Sequence, residues 1–264
     1  MRRTVSAFMR LELSGPTRLL LSAAVARPAA PIEETLSLRH DGRVLPVREL
    51  VDLHGARVHV ADADAGDLDI EYAAIVDGVV APAPVDELDL VRYLRPSRYC
   101  ESDILTPTAR VEFRGLHGRE LLDAVTEWVA EHLDYVPGSS LPTDGAVRTL
   151  LNRQGVCRDY AHLSIALLRA LDVPARMVSV YAPGLRPMDF HAVAEAHLDG
   201  VWQVVDATRL APRGTMLRIA TGRDAADTAF LTTHHTDIGL VSLDVTAEVD
   251  DLPVEDPHAL ARLG

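Results

Sequence analysis

Residues 154–162 read QGVCRDYAH, and residues 163–171 continue as LSIALLRAL. From Cys157 onward this stretch predicts a helix whose circumference is almost entirely apolar, with Arg158, His162 and Arg169 in one thin polar stripe. A helix that is apolar nearly all round is buried. Because Gly155 ends a short helix predicted over 146–152, Cys157 is expected to open this buried helix.

Helices before this stretch and strands after it predict an α+β domain. Apolar residues at helical spacing predict a helix over 119–133, which Pro137-Gly138 closes. Three strand patterns follow the buried helix, at 176–181, 190–198 and 201–206. Asp199-Gly200 separates the last two strands. It predicts a hairpin, because glycine readily adopts the positive φ that a type I′ turn needs.

Residues 1–80 predict an all-β region of antiparallel strands. Alternating runs recur at 35–38, 58–60 and 68–74, with turn signals between them. The sequence Ala81-Pro82-Ala83-Pro84 predicts a stiff linker. We therefore expect an N-terminal β domain over 1–85 and a second domain over 86–264. His40, His54 and His59 are scattered through the first domain and are expected on its surface.

Composition excludes several classes of partner. The chain has 264 residues, with 39 acidic and 26 basic side chains, and the resulting charge of −13 repels nucleic acid and anionic membranes. It has no apolar run near the roughly 20 residues that span a bilayer. Arg2 and Arg3 precede an apolar stretch, but its alternation favours a strand over a secretory signal. Two cysteines, Cys100 and Cys157, imply no disulfide framework, which favours a cytoplasmic location.

Cys157 is the first candidate for chemistry. At the start of a helix its sulfur lies beside free backbone N–H groups and the positive end of the helix dipole, which favours the nucleophilic thiolate. The alternative is that Cys157 is a small buried apolar residue.

The predicted hairpin supplies two partners for Cys157. If Leu198 faces Val201, then Val193 faces Asp206, and His191 lies on the same face of the sheet as Asp206, one diagonal step away. A carboxylate beside an imidazole fixes its tautomer and stabilises the imidazolium, as a base that accepts a thiol proton requires. Taken singly, His191 is an ordinary cross-strand residue and Asp206 the start of a turn.

Four motifs in order resemble the core of bacterial transglutaminase-like proteins. They are Gly155 to His162, Ala170 to Arg176, Asp189 to Ala192 and Val204 to Thr208, and the resemblance covers about residues 90–225. Gly222-Arg223-Asp224, with Asp227, and the stretch around Cys100 also recur in these relatives. The resemblance implies a papain-like catalytic domain preceded by an all-β, sandwich-like leader domain.

The resemblance also implies the roles of the site residues and the chemistry. Cys157 would be the nucleophile, His191 the base and acid, and Asp206 the carboxylate that orients the histidine. The reaction would be acyl transfer from an amide or peptide bond through a thioester. Water is favoured as the acceptor because no feature of the sequence marks an amine-binding site, and no cofactor or metal site is evident. The Cys157 amide would be one oxyanion donor, while Gln154 does not match the spacing of a second.

Other readings stay open. The chain could transfer the acyl group to an amine, as transglutaminases proper do, or keep the triad only as part of a binding module. An acyltransferase fed by a carrier thioester is disfavoured, because no phosphate-binding loop accompanies the motifs. Cys100 and His162 are expected to be structural, and adjacent His234 and His235 point to opposite sides of an extended chain, which disfavours a metal site.

Overall fold

A computed structural model describes residues 1–27, 29–80, 85–256 and 258–263. The helices are α1 (Glu87–Arg92), α2 (Ser102–Glu112), α3 (Gly118–His132), α4 (Ala146–Asn152), α5 (Cys157–Ala170) and α6 (Ala225–Thr228). The strands are β1 (Arg2–Leu13), β2 (Thr17–Leu21), β3 (Glu33–His40), β4 (Arg43–Val44), β5 (Arg48–Val51), β6 (Arg57–Ala63), β7 (Gly66–Asp77), β8 (Asp134–Tyr135), β9 (Gln154–Gly155), β10 (Ala175–Tyr181), β11 (His191–Leu198), β12 (Val201–Val205), β13 (Leu217–Gly222), β14 (Leu231–His234) and β15 (Ile238–Val249).

Helix α5 is the centre of the α+β region, as the apolar stretch predicted. From Asp159 to Ala170 every one of its residues is buried, including the polar His162 and Arg169. Helices α2, α3 and α4 pack around it, and β10 and β11 lie against it. Its apolar side chains share one core with Ala194, Ala196 and Val205 of the sheet. The fold therefore holds the N-terminus of α5, and Cys157 with it, at a fixed place beside the sheet.

The sheet that accompanies α5 has the strand order β12-β11-β10-β13, and all its pairs are antiparallel. Leu198 faces Val201 and Ala194 faces Val205, which confirms the predicted register. Asp199 and Gly200 have φ values of 50° and 82°, the two left-handed positions of a type I′ turn. Because the register holds along the hairpin, the residue after β12, Asp206, comes beside the start of β11.

Both faces of this sheet are buried. Ala194 and Ala196 face α5, whereas Val193 belongs to a smaller apolar cluster on the other face. Strand alternation over the predicted 190–198 strand would also place Phe190 on the apolar face of Ala194 and Ala196, and the structure shows that this is wrong. Since β11 begins only at His191, Phe190 instead stacks on Phe230 at 5.1 Å between ring centroids and joins the core of the β region.

The N-terminal β region is a sandwich of two antiparallel sheets. Their strand orders are β15-β1-β7-β3-β4 and β14-β2-β6-β5, and one apolar core lies between them. Strands β14 and β15 come from the end of the chain, so residues 231–249 complete sheets built mostly from the first 80 residues. The predicted linker 81–84 lies outside the described residues, and the boundary near residue 85 stays a prediction.

Some features escaped the sequence patterns. Helix α2 contains Pro107 in its interior, which hides it from a search for uninterrupted helical periodicity. His59 was expected on the surface, yet it is only 5% exposed and lies 3.2 Å from the carboxylate of Glu49. None of the described helices is both long enough and apolar enough to cross a bilayer.

Candidate active site

The strand β9 and its turn place Cys157 at the first position of α5. Val156, the residue before it, is extended, and its backbone N–H donates to Oδ2 of Asp159 at 2.8 Å. The buried Asp159 carboxylate thereby satisfies one free donor of the helix start. It also explains Gly155, because a Cβ atom there would lie 2.6 Å from Cβ of Asp159. The glycine and the aspartate of the motif serve the same turn.

The same carboxylate holds the loop 136–145 against the helix start. Oδ2 of Asp159 accepts from the Ser140 hydroxyl at 2.5 Å. Arg158 donates to that hydroxyl and to the Leu141 carbonyl, both at 3.0 Å. Cys157 itself is partly exposed, in contrast to the residues that follow it. The loop and the turn therefore leave the thiol accessible at the edge of a rigid scaffold.

His191 and Asp206 form a buried pair beside Cys157. Nε2 of His191 lies 2.9 Å from Oδ2 of Asp206, and the two residues are 1% and 5% exposed. The other oxygen, Oδ1 of Asp206, accepts from the backbone N–H of Thr208 at 2.9 Å and from its hydroxyl at 2.6 Å. Thr208 thus fixes the carboxylate, and the carboxylate fixes the ring.

The electrostatics of the pair favour an imidazolium. Burial by itself would lower the pKa of His191, but the charge and hydrogen bond of Asp206, together with the Cys157 thiol, raise it to about 10. Burial would raise the pKa of Asp206, but His191 and Thr208 hold it below its usual value. Each group therefore keeps the other charged in a buried site.

The second nitrogen of the His191 ring remains available. Nδ1 is buried and has no hydrogen-bond partner among the described residues. The Cys157 thiol is close enough to contribute to the pKa of this ring. A ring that uses one nitrogen for a carboxylate and leaves the other for a neighbouring thiol has the arrangement needed to exchange a proton with that thiol. The structure brings together all three residues that the sequence selected.

Other sequence candidates lie in a separate buried cluster. Cys100 is fully buried, and burial raises its pKa to about 12. The His162 ring stacks on Tyr99 at 5.3 Å, and Nε2 accepts from the backbone N–H of Ala225 at 3.1 Å. Asp224 caps α6 and accepts from the backbone N–H of Tyr99 at 2.9 Å. Contacts among Tyr99, His162 and Asp224 therefore connect α5, α6 and the segment before α2.

Neither the adjacent histidines nor the main cavity forms part of the candidate active site. His234 and His235 have ring centroids 6.3 Å apart. Within the described ranges, no group of three or more His, Cys, Asp and Glu side chains has an arrangement that could hold a metal ion. A cavity of about 690 Å³ lies between the β sandwich and the sheet, lined by Arg176, Glu195 and Trp202 among others. None of Cys157, His191 and Asp206 lines it.

Sequence reasoning missed two residues around Cys157. Asp159 was read only as part of a motif, although its position two residues after the cysteine would have allowed a capping role to be predicted. Tyr135 was not considered. The pairing of β8 with β9 brings Tyr135 close enough to Cys157 for the thiol and the backbone amide of the cysteine to affect the pKa of the tyrosine hydroxyl. Two-residue strands leave no periodic signal in a sequence.

Comparison with known proteins agrees with this geometry. Residues 111–207 match the family model described as the transglutaminase-like superfamily. A crystal structure of a candidate cysteine protease from Cytophaga hutchinsonii is 31% identical, covers 97% of this chain and 92% of its own, and superposes with a TM-score of 0.88. The chain therefore belongs to the transglutaminase-like superfamily.

Two further similarities are more distant. A protein from Mycobacterium leprae without an assigned function is 29% identical over 181 residues, a match that spans 64% of this chain and 63% of that protein. The periplasmic domain of TgpA from Pseudomonas aeruginosa is 20% identical and superposes with a TM-score of 0.43 over 78% of this chain and 90% of that domain. The family and fold rest on the Cytophaga structure and the family model, which also support a cysteine-dependent enzyme in general.

Proposed function

We propose that this protein is a cysteine hydrolase that cleaves a peptide or amide bond through a thioester acyl-enzyme. The observation that carries the proposal is the buried His191–Asp206 pair at 2.9 Å, with Nδ1 of the ring left for the Cys157 thiol. Support for a peptide substrate comes from the relative named as a candidate cysteine protease, which matches nearly the full length of both chains.

The proposed reaction has two halves. The Cys157 thiolate attacks the carbonyl carbon, and the imidazolium of His191 gives its proton to the departing amine as the C–N bond breaks. The acyl group is then a thioester on Sγ. In the second half, neutral His191 removes a proton from water, the resulting hydroxide attacks the thioester, and the C–S bond breaks to release the acid. Asp206 stabilises the imidazolium in both halves.

The absence of lysine makes this proposal easy to test. All 26 basic residues of the chain are arginine, so an activated ester cannot acylate a lysine side chain. We expect p-nitrophenyl acetate to give a burst of p-nitrophenolate and one acetyl group per chain, seen by intact-protein mass spectrometry. The adduct should be absent in Cys157→Ala. An acetylated wild type that is equally acetylated in Cys157→Ala contradicts the proposal.

The fate of the adduct separates hydrolysis from amine transfer. A hydrolase should lose the acetyl group to water at a rate that added methylamine changes little. Preferential formation of N-methylacetamide at millimolar methylamine would instead identify an amine acyltransferase. A chain that never forms the adduct, although it is folded by circular dichroism, would fit a binding module. We further propose a cytoplasmic location, because both cysteines are free thiols.

A further inference from the structure

Tyr135 lies in β8, near the start of α5, and has no role in the reaction proposed above. Strand β8 runs parallel to β9, and this pairing sets Tyr135 opposite Gly155, two residues before Cys157. Backbone hydrogen bonds from Asp134 to Arg153 at 2.9 Å and from Val136 to Gly155 at 3.0 Å fix the segment on both sides. The backbone of Tyr135 is therefore attached to the turn that carries the nucleophile.

A neighbouring tyrosine shows what is particular about Tyr135. The rings of Tyr135 and Tyr160 are tilted against each other, with centroids 5.9 Å apart. The Tyr160 hydroxyl is buried and donates to the carbonyl of Leu133 at 2.6 Å. Tyr135 is 38% exposed, and it lies close enough to Cys157 for the thiol and the backbone amide of that residue to affect the pKa of its hydroxyl. The Tyr160 hydroxyl thus completes the local fold, whereas the Tyr135 hydroxyl is left near the reacting residue.

The chemistry of acyl transfer requires a donor at this position. Attack by the thiolate turns the substrate carbonyl oxygen into an oxyanion on a carbon bonded to Sγ. The N–H of Cys157 points out of the helix start and supplies one donor. A second donor must reach the same oxygen, and so must lie near both the sulfur and that amide. Burial and the neighbouring Cys157 thiol raise the pKa of Tyr135 to about 12, so its hydroxyl keeps its proton at neutral pH.

We propose that the Tyr135 hydroxyl is the second donor of the oxyanion hole. This inference rests on the proposed function, since only acyl transfer creates the oxyanion. It supplies the donor that the sequence motifs could not identify. The role belongs to the transition state, in which the hydroxyl donates its hydrogen to the developing negative charge on the substrate oxygen.

The test compares two reactions of Cys157 in Tyr135→Phe. Acetylation by p-nitrophenyl acetate passes through an oxyanion and should slow by about 10² to 10³, the usual loss for one oxyanion-hole donor. Alkylation by iodoacetamide displaces iodide at a saturated carbon, forms no oxyanion, and should stay within about twofold of the wild type. The matched control is Tyr160→Phe, which should lower the thermal midpoint but acetylate at nearly the wild-type rate.

The outcomes separate this inference from the proposed function. Acetylation of Tyr135→Phe at the wild-type rate overturns the inference alone. Equal slowing of acetylation and alkylation also overturns it, because Tyr135 would then act on the thiolate. A wild type that is never acetylated defeats the proposed function, and the oxyanion role of Tyr135 falls with it.

Discussion

Two clusters of cysteine, histidine and aspartate flank helix α5, and they behave in opposite ways. At its N-terminus the partly exposed Cys157 lies beside His191, whose pKa the Asp206 carboxylate helps to raise to about 10. Along its buried side Cys100 and His162 lie near Asp224. Burial there raises the pKa of the Cys100 thiol to about 12 and lowers that of the His162 imidazole to about 4.

The difference lies in how each aspartate is used. Oδ2 of Asp206 contacts the His191 ring directly at 2.9 Å. Both oxygens of Asp224 accept from backbone N–H groups, those of Tyr99 and Ala226. Among the described residues no carboxylate accepts from the His162 ring, whose buried Nδ1 has no partner, and burial keeps the ring neutral. Identical residue types therefore build a charged His–Asp pair beside a partly exposed cysteine in one place, and a buried packing cluster with a neutral histidine in the other. Composition alone does not identify an active site.

Replacing each cysteine in turn by alanine gives the largest expected difference between the two clusters. Cys157→Ala should abolish acetylation and alkylation while leaving the thermal midpoint close to that of the wild type, because the thiol is partly exposed. Cys100→Ala should keep both reactions and lose on the order of 1 kcal/mol of stability, since it removes a fully buried side chain. Mass spectrometry and thermal melts measure both effects. Labelling that disappears only in Cys100→Ala would reverse the assignment of the two clusters.

Asp206→Asn removes the charge that distinguishes the His191 cluster. The amide keeps a similar shape but does not stabilise the imidazolium, so acyl-enzyme formation should fall by about 10⁴, as in the analogous serine triad. Val205→Asn is the matched control. Val205 packs in the α5 core, so its replacement by an amide should lower the thermal midpoint first. An active Asp206→Asn, or a stable but inactive Val205→Asn, would contradict the assignment.

The sequence could predict what depends on local pattern. The central helix, the Asp199-Gly200 hairpin and its register all followed from periodicity and turn chemistry, and that register brings Asp206 beside His191. Contacts between distant, irregular segments could not be predicted. Tyr135 reaches Cys157 through a two-residue parallel bridge, and the last strands of the chain return to the first sheets through pairing that no local pattern encodes.

Alkaline titration separates the clusters by the sign of their pKa shifts. The folded pKa of His191 is raised, so its stabilising effect is complete below the unfolded value of about 6.5 and is lost as pH rises through about 10. The chain has no lysine to titrate in that range. We expect urea unfolding to show that the wild type loses more stability between about pH 7 and pH 10 than His191→Gln does. Equal losses of stability in the wild type and in His191→Gln would contradict the raised pKa of His191.

Acid titration tests the other cluster and has the smallest expected effect. The folded pKa of His162 is lowered to about 4, so the unfolded chain binds the extra proton between about pH 6.5 and pH 4 and stability falls as pH decreases through that range. The loss is on the order of 3 kcal/mol at one histidine.

A glutamine side chain in place of the imidazole could still accept from the Ala225 N–H, so His162→Gln should flatten this acid slope at some cost in stability at pH 7. His59 also has a lowered pKa, which leaves a residual slope in the variant. His191→Gln is the control and should keep the full slope below about pH 5.5, because His191 is protonated in both the folded and the unfolded chain there. If His162→Gln and the wild type lose stability equally between pH 7 and pH 5, His162 is not held neutral, and the contrast between the two clusters fails on that side.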